Sequence, residues 1–253
     1  MRKLLLMMLM APAFLSAAPA QQPADTYADG TVITEKDLEE MAKNLERFRS
    51  AVLSGNAGTV RSLLNSGVSP NVILPNGDTP LTYAFRSDAW SVAEALIESE
   101  ATDVNMQNQH GETPIMLAVF KNRTEDFEKL LRRGATVKKE LGWTPLHYAA
   151  TEAHIGLLKR IIELGADVNA QTKAGVTALD MAARKPSREA VMVLLRAGAY
   201  RDYCTDAGLS PADFARNAGD EELAKYLAIP KCAVKGPARP ELYGLVQTPS
   251  LLR

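Results

Sequence analysis

The feature that most constrains this chain is a repeat. Thr79-Pro80, Thr113-Pro114, Thr144-Pro145, Thr177-Ala178 and Ser210-Pro211 recur at intervals of 34, 31, 33 and 33 residues, each directly after a Gly-x pair. Gly134, Gly165 and Gly198 stand 21 residues beyond three of these threonines. A period of this length marks a stacked array. One copy cannot bury its apolar faces alone, so neighbouring copies must cover them.

Each part of the period has a physical role. A Thr or Ser hydroxyl caps a first helix, and Pro at its first position forfeits no hydrogen bond, because that N–H has no helical partner anyway. Leu146, Ala149 and Ala150 follow at helical spacing, and the alanines keep the helix slim enough for close stacking. A second helix, predicted over 155–164, carries Leu157, Leu158, Ile161 and Ile162 on one face. Gly165 then ends it in the left-handed conformation. Asp167 to Ala174 is polar and turn-rich, too short for another helix, and suits a projecting hairpin or finger.

Gly142-Trp143-Thr144-Pro145-Leu146-His147 and Gly165-Ala166-Asp167-Val168-Asn169-Ala170 closely resemble the ankyrin repeat. The resemblance covers residues 44 to 229 and implies an all-α solenoid of about six helix-turn-helix units with short hairpin fingers. The repeat domain is read as 34–229, in units of about 34–76, 77–109, 110–140, 141–173, 174–206 and 207–229. In the first unit Thr34 and Asp37 form a capping box ahead of Leu38, Met41, Leu45, Phe48 and Val52 on one face. Glu100 occupies the terminating-glycine position of the second unit, where a left-handed backbone would be strained by ~1 kcal/mol. The finger after it carries one extra residue, and the next, from Gly134 to Gly142, is two residues short.

Residues 1–20 read as a secretory signal. Arg2 and Lys3 precede the apolar run from Leu4 to Leu15, and Ala18-Pro19-Ala20 offers small residues for cleavage after Ala20. The run is shorter than the ~20 residues a spanning helix needs. The expected product is exported, periplasmic and free of membrane insertion. Residues 21–33 form a flexible linker, and 230–253, with four prolines, an extended tail. Losing Arg2 and Lys3 takes the formal charge from −1 to −3. That balance carries no basic excess for nucleic acid. Cys204 and Cys232 are an even pair in an exported chain. They read either as a bridge, worth ~3–4 kcal/mol in the chain-entropy model, or as two separate thiols. The bridge is expected, pinning the tail to the final repeats.

Little else carries chemistry. His147 sits at the family's Thr-Pro-Leu-His position, where the ring hydrogen-bonds within the stack. His154 starts a second helix and His110 lies in a finger. No cysteine or carboxylate cluster turns these into a metal site. Phosphate loops, dinucleotide glycines and nucleophile elbows do not occur, and no cofactor or enzymatic activity is expected.

The resemblance therefore implies function through surface: one or more protein partners held on a concave face of fingers and first helices, by a chain that is monomeric alone. The register assigns to that face Asp78, Arg86 and Ser87; Glu112, Phe120 and Lys121; Trp143, Thr151 and Glu152; Val176, Arg184 and Lys185; and Leu209 with Asn217. Phe120 and Trp143 would form an apolar centre rimmed by charge, unless both simply pack on their own neighbours. Trp90, at a second-helix start, reads as structural. Similar exported bacterial ankyrin proteins imply two settings: an immunity protein neutralising a toxic secreted enzyme, or an oxidative-stress factor supporting a periplasmic catalase.

Overall fold

The structure, a computed structural model, describes residues 33–139, 142–185 and 187–232. The signal read at 1–20, most of the linker and the tail beyond Cys232 lie outside the described residues. The described residues form twelve α-helices and no β-strand. They are α1 Glu35–Leu53, α2 Ala57–Asn65, α3 Pro80–Arg86, α4 Trp90–Glu98, α5 Pro114–Phe120, α6 Thr124–Arg132, α7 Pro145–Glu152, α8 Ile155–Glu163, α9 Ala178–Arg184, α10 Arg188–Arg196, α11 Pro211–Asn217 and α12 Glu221–Leu227.

The chain divides into a compact unit ending at Lys43 and a second beginning at Asn44. In the first, Thr34 and Asp37 close the capping box ahead of α1: the Thr34 N–H donates to Asp37 Oδ2 at 2.8 Å, and the Asp37 N–H to Thr34 Oγ1 at 3.2 Å. The second unit holds the repeats. Thr79, Thr113, Thr144, Thr177 and Ser210 each take extended backbone at the N-cap of a first helix, with Pro at the first helical position of α3, α5, α7 and α11.

First helices α3, α5, α7, α9 and α11 pack in sequence, each against the next. Ala84, Ala118, Ala149, Ala182 and Ala215 are fully buried at these seams, where a larger side chain would push the helices apart. Behind them Leu96, Phe127, Leu130, Leu158, Ile161, Val191 and Leu194 join one continuous apolar core along the array. Charged groups bridge successive second helices on the outside: Lys129 to Glu94 (3.1 Å), Arg160 to Glu128 (2.9 Å) and Arg188 to Asp220 (3.0 Å). Such exposed pairs contribute at most ~1 kcal/mol each.

Neighbouring fingers are held by a second device. The side chain of Asn71 donates to the Ala101 carbonyl (2.8 Å) and accepts from the Asp103 N–H (2.8 Å). Asn105 does the same to Gly134 and Thr136, and Asn169 to Gly198 and Tyr200. These asparagines repeat with the period, and each closes a clasp on the following repeat. Lys138 stands where the third finger would need one, so the junction between the third and fourth repeats lacks it.

The fingers are short turn-closed hairpins, without β-strand among the described residues. Each is closed at its tip by turn bonds, such as Leu74 N–H to the Asp78 carbonyl and Gly77 N–H to the Leu74 carbonyl. Neighbours then touch through single bonds such as Gln109 N–H to Gly77, too few for a ladder. Glu100 is not left-handed. Helix α4 stops at Glu98, Ser99 turns extended and its carbonyl accepts the Thr102 N–H. The extra residue in that finger lets the chain leave the helix without the left-handed turn that Gly165 makes at φ +80. Cys204 and Cys232 are joined as a disulfide, which ties the segment after α12 to the last finger.

Candidate protein-binding face

The sequence-assigned residues stand in the fingers and at the ends of the first helices. Among them is an aromatic cluster. Phe120 is 40% exposed and Trp143 39%, and between them stands Tyr148 of α7. Ring centroids are 5.9 Å apart for Phe120 and Tyr148, and 5.5 Å for Trp143 and Tyr148. Trp143 also leans on His147 at 5.6 Å. Each ring packs on neighbours and still presents an open flank.

Tyr148 was not among the residues singled out from sequence. Its signal is its place directly after His147, one turn into the first helix, where Leu117 and Met181 stand in adjacent repeats. Its hydroxyl donates to Glu112 Oε1 at 2.6 Å, and burial together with that carboxylate pushes the phenol well above its ordinary range. Burial would raise the Glu112 carboxyl as well. Bonds from Tyr148, Asn108 and Arg86 outweigh burial and hold it below the usual range.

Arg86 bonds both carboxylates, through Nε to Asp78 Oδ2 (3.1 Å) and Nη2 to Glu112. Asp78 itself does not belong on the open surface. It is 3% exposed and accepts from Asn108 (2.8 Å), Thr82 (3.2 Å) and Arg86. Standing just before the Thr79 cap, it turns inward to meet the next finger, so it braces Arg86 and offers little to a partner.

The remaining assigned residues hold the equivalent finger and helix-end positions of their own repeats. Lys121 pairs with Asp88 (2.7 Å) and Lys185 with Glu152 (2.8 Å), each linking the ends of adjacent first helices. The Thr151 hydroxyl donates to the His147 carbonyl. Val176 is half-buried and its carbonyl faces His147 Nε2 at 3.0 Å. Ser87 donates to the Tyr83 carbonyl, and Leu209, Asn217 and Arg184 are exposed. Arg184 has no ion pair among the described residues. The face therefore combines an exposed aromatic cluster, charges fixed by their neighbours and one unengaged guanidinium.

Two of the histidines bond within the fold. His147 Nδ1 accepts from Thr144 (Oγ1 at 2.8 Å), and burial lowers the ring to about 4, so it stays neutral. His154 Nε2 meets the Phe120 carbonyl at 3.2 Å and His110 is exposed in its finger. Trp90 packs against Phe85 beneath the Arg123 guanidinium, 4.5 Å from the ring centre. Among the described residues no three His, Cys, Asp or Glu side chains gather to hold a metal ion, and no helix is long and apolar enough to cross a membrane.

The ankyrin repeat family model matches residues 48–140, 102–172 and 146–236, three overlapping copies that together cover most of the chain. The chain belongs to the ankyrin repeat family. Its relatives include neurogenic locus notch homolog protein 1 of Mus musculus, 39% identical over 129 residues, or 50% of this chain and 5% of that protein. Human SH3 and multiple ankyrin repeat domains protein 2 is 29% identical over 181 residues, 70% of this chain and 10% of that one. The chain thus spans a small fraction of the length of these curated relatives. The crystal structure of the ankyrin repeat protein EF0377 superposes with a TM-score of 0.61 at 25% identity, covering 72% of this chain and 96% of that one. Ankyrin repeats bind protein partners and generally serve as non-enzymatic scaffolds, so this chain carries a protein-interaction module.

Proposed function

We propose that this chain acts in the periplasm, without catalysis, by holding one partner polypeptide on its concave face, and that the partner is a toxic secreted enzyme which it neutralises as an immunity protein. The observation that carries the binding reading is the Phe120, Tyr148 and Trp143 cluster, part-exposed and framed by charges already fixed in place. Aromatic anchors dominate the binding energy of many interfaces. Side chains fixed beforehand lose little further freedom when a partner arrives. The disulfide suits an oxidising compartment, which supports export.

The test begins with affinity purification from a periplasmic extract on the tagged, disulfide-intact chain. Binding of the recovered partner is then measured by calorimetry. Trp143→Ala and Arg184→Ala should each weaken it by about ten-fold or more, while Arg196→Ala on the opposite face should not. Equal affinity in all three variants rejects this face. A partner whose enzymatic activity stops at one equivalent supports immunity. A chain that inhibits nothing, but whose deletion sensitises cells to peroxide, replaces that role with the oxidative-stress one.

A further inference from the structure

Three buried side-chain atoms find no hydrogen-bond partner among the described residues, Arg49 Nε, Thr102 Oγ1 and Asp180 Oδ1, and the last belongs to an ionisable group. Asp180, on α9, is 0% exposed. Its Oδ2 accepts from the Thr177 N–H (2.7 Å) and hydroxyl (2.9 Å), yet its Oδ1 meets no donor from the protein. An acceptor buried without a donor loses its hydration with nothing in return, and loses more if charged.

The repeat shows what this socket requires. Asp180 lies 33 residues after His147, and Leu209 lies 33 after Val176. In the fourth repeat the imidazole does two jobs: Nδ1 accepts from Thr144, and Nε2 faces the Val176 carbonyl of the next finger. That carbonyl also accepts from the Thr172 N–H at 2.9 Å, as the Leu209 carbonyl does from Thr205 at 2.9 Å. The His147 socket has donors on one side and a carbonyl on the other, and by register the Leu209 carbonyl is the counterpart of that carbonyl at Asp180. A carboxylate can satisfy only the first side. A carboxylic acid, with one oxygen accepting and one O–H donating, matches neutral imidazole on both.

We infer that Asp180 carries a proton while the fifth and sixth repeats are stacked, that its O–H is directed at the Leu209 carbonyl, and that losing this proton loosens the terminal repeat. Burial raises the carboxyl to about 7 against the Thr177 hydrogen bonds that lower it, which puts the transition near neutrality. Packed against α9 are α7, α10 and α11, and none of them brings a countercharge. On α7, His147 is neutral, Tyr148 is bound to Glu112 and Glu152 to Lys185. On α10, Arg188 pairs with Asp220, Glu189 with Lys159, and Arg196 is exposed. On α11, Asp213 and Arg216 pair with each other. Arg184, one turn along α9, points to solvent.

The sixth repeat supplies an internal control. Asp213 repeats the Asp180 arrangement with Ser210 (Oδ2 to N, 2.9 Å), but no finger follows it. Its Oδ1 takes Arg216, and bonds from Ser210 first and then Arg216 hold that carboxyl below the usual range. The same local motif is ionised where the stack ends and protonated where it continues.

The sign follows from linkage. A carboxyl whose folded pKa is raised stabilises the stack fully below about 3.8, and that stability is lost as pH rises through about 7. Between pH 5 and 7 opening of the last repeat should become about fifty-fold easier, nearly ten-fold for the first pH unit and less as the midpoint is reached. Amide exchange of α11 and α12 in the disulfide-intact chain, corrected for intrinsic base catalysis, measures it. Wild type should lose protection over that interval. Asp180→Asn and Asp180→His, which keep an acceptor for Thr177 and add a donor, should hold theirs constant. Carbon-13 titration of the Asp180 carboxyl provides a readout that does not depend on any variant folding. A midpoint near 4, or wild-type protection that tracks Asp180→Asn at every pH, overturns the proposal.

Discussion

The asparagine clasps make the stacking energy testable one junction at a time, because the chain contains both filled and empty versions of the same site. Asn169 makes two bonds across its junction, 3.0 Å to the Gly198 carbonyl and 2.9 Å from the Tyr200 N–H. A neutral hydrogen bond contributes ~0.5–1.5 kcal/mol net. Both clasp bonds lie near solvent, so the lower half of that range applies and Asn169→Ala should cost about 1–2 kcal/mol. Asn169→Asp separates the two bonds. It keeps the acceptor for Tyr200 but sets a carboxylate oxygen against the Gly198 carbonyl, so it should cost at least as much as alanine.

The empty site gives the converse. At the third junction Lys138 replaces the asparagine, and the Gly165 carbonyl and Asp167 N–H, the equivalents of Gly198 and Tyr200, have no hydrogen-bond partner among the described residues. The Lys138 side chain lies over Gly165, close enough that a shorter amide at this position starts near both groups. Lys138→Asn should therefore stabilise the chain by about 0.5–1 kcal/mol, less than Asn169→Ala costs because both new partners are already hydrated. Urea unfolding followed by circular dichroism at 222 nm reads each variant as a midpoint shift at constant slope. If Asn169→Ala leaves the midpoint unchanged, the clasp is ornament. If Asn169→Ala destabilises while Lys138→Asn has no effect, the two-residue shortening of that finger has moved the partners out of register.

Other perturbations test other parts of the stack. Reduction, or Cys204→Ser with Cys232→Ser, opens a loop with a sequence separation of 28 and should remove about 3–4 kcal/mol, seen as a lower urea midpoint for the last repeats alone. Ala153 holds a left-handed φ of 55 between α7 and α8, where other repeats place Gly55 or Gly219, so Ala153→Gly should raise thermal stability by about 0.5–1 kcal/mol. His147 is held neutral by burial, its folded value near 4 against an ordinary 6.5. Its contribution is thus complete above pH 6.5 and lost as pH falls towards 4, on the order of 3 kcal/mol, and His147→Gln should flatten that acid limb of the melting profile.

The opposite slopes of His147 and Asp180 also mark how far a sequence can be read here. The architecture was legible because it is written in periodic positions: Thr-Pro starts, buried alanines, terminating glycines. Each acts locally and identically in every repeat, so one copy explains the rest. What escaped depends on contacts between copies. Asp78 and Glu112 precede their caps alike, but only the next repeat decides that Asp78 turns inward to Asn108 of the following finger while Glu112 reaches Tyr148 of α7. Glu100 looked strained because its position was read from other repeats, whereas one inserted residue gave the chain another exit from α4. Tyr148 was invisible because its importance lies in standing between Phe120 and Trp143, which come from different repeats. Asp180 belongs to the same class, since Thr177-Ala178-Leu179-Asp180 is an ordinary capping sequence until the finger beyond it presents a carbonyl. In a one-dimensional stack, then, the helix pair follows from sequence alone. The chemistry that distinguishes one ankyrin protein from another is set at the junctions, where a residue's neighbour lies about thirty positions away.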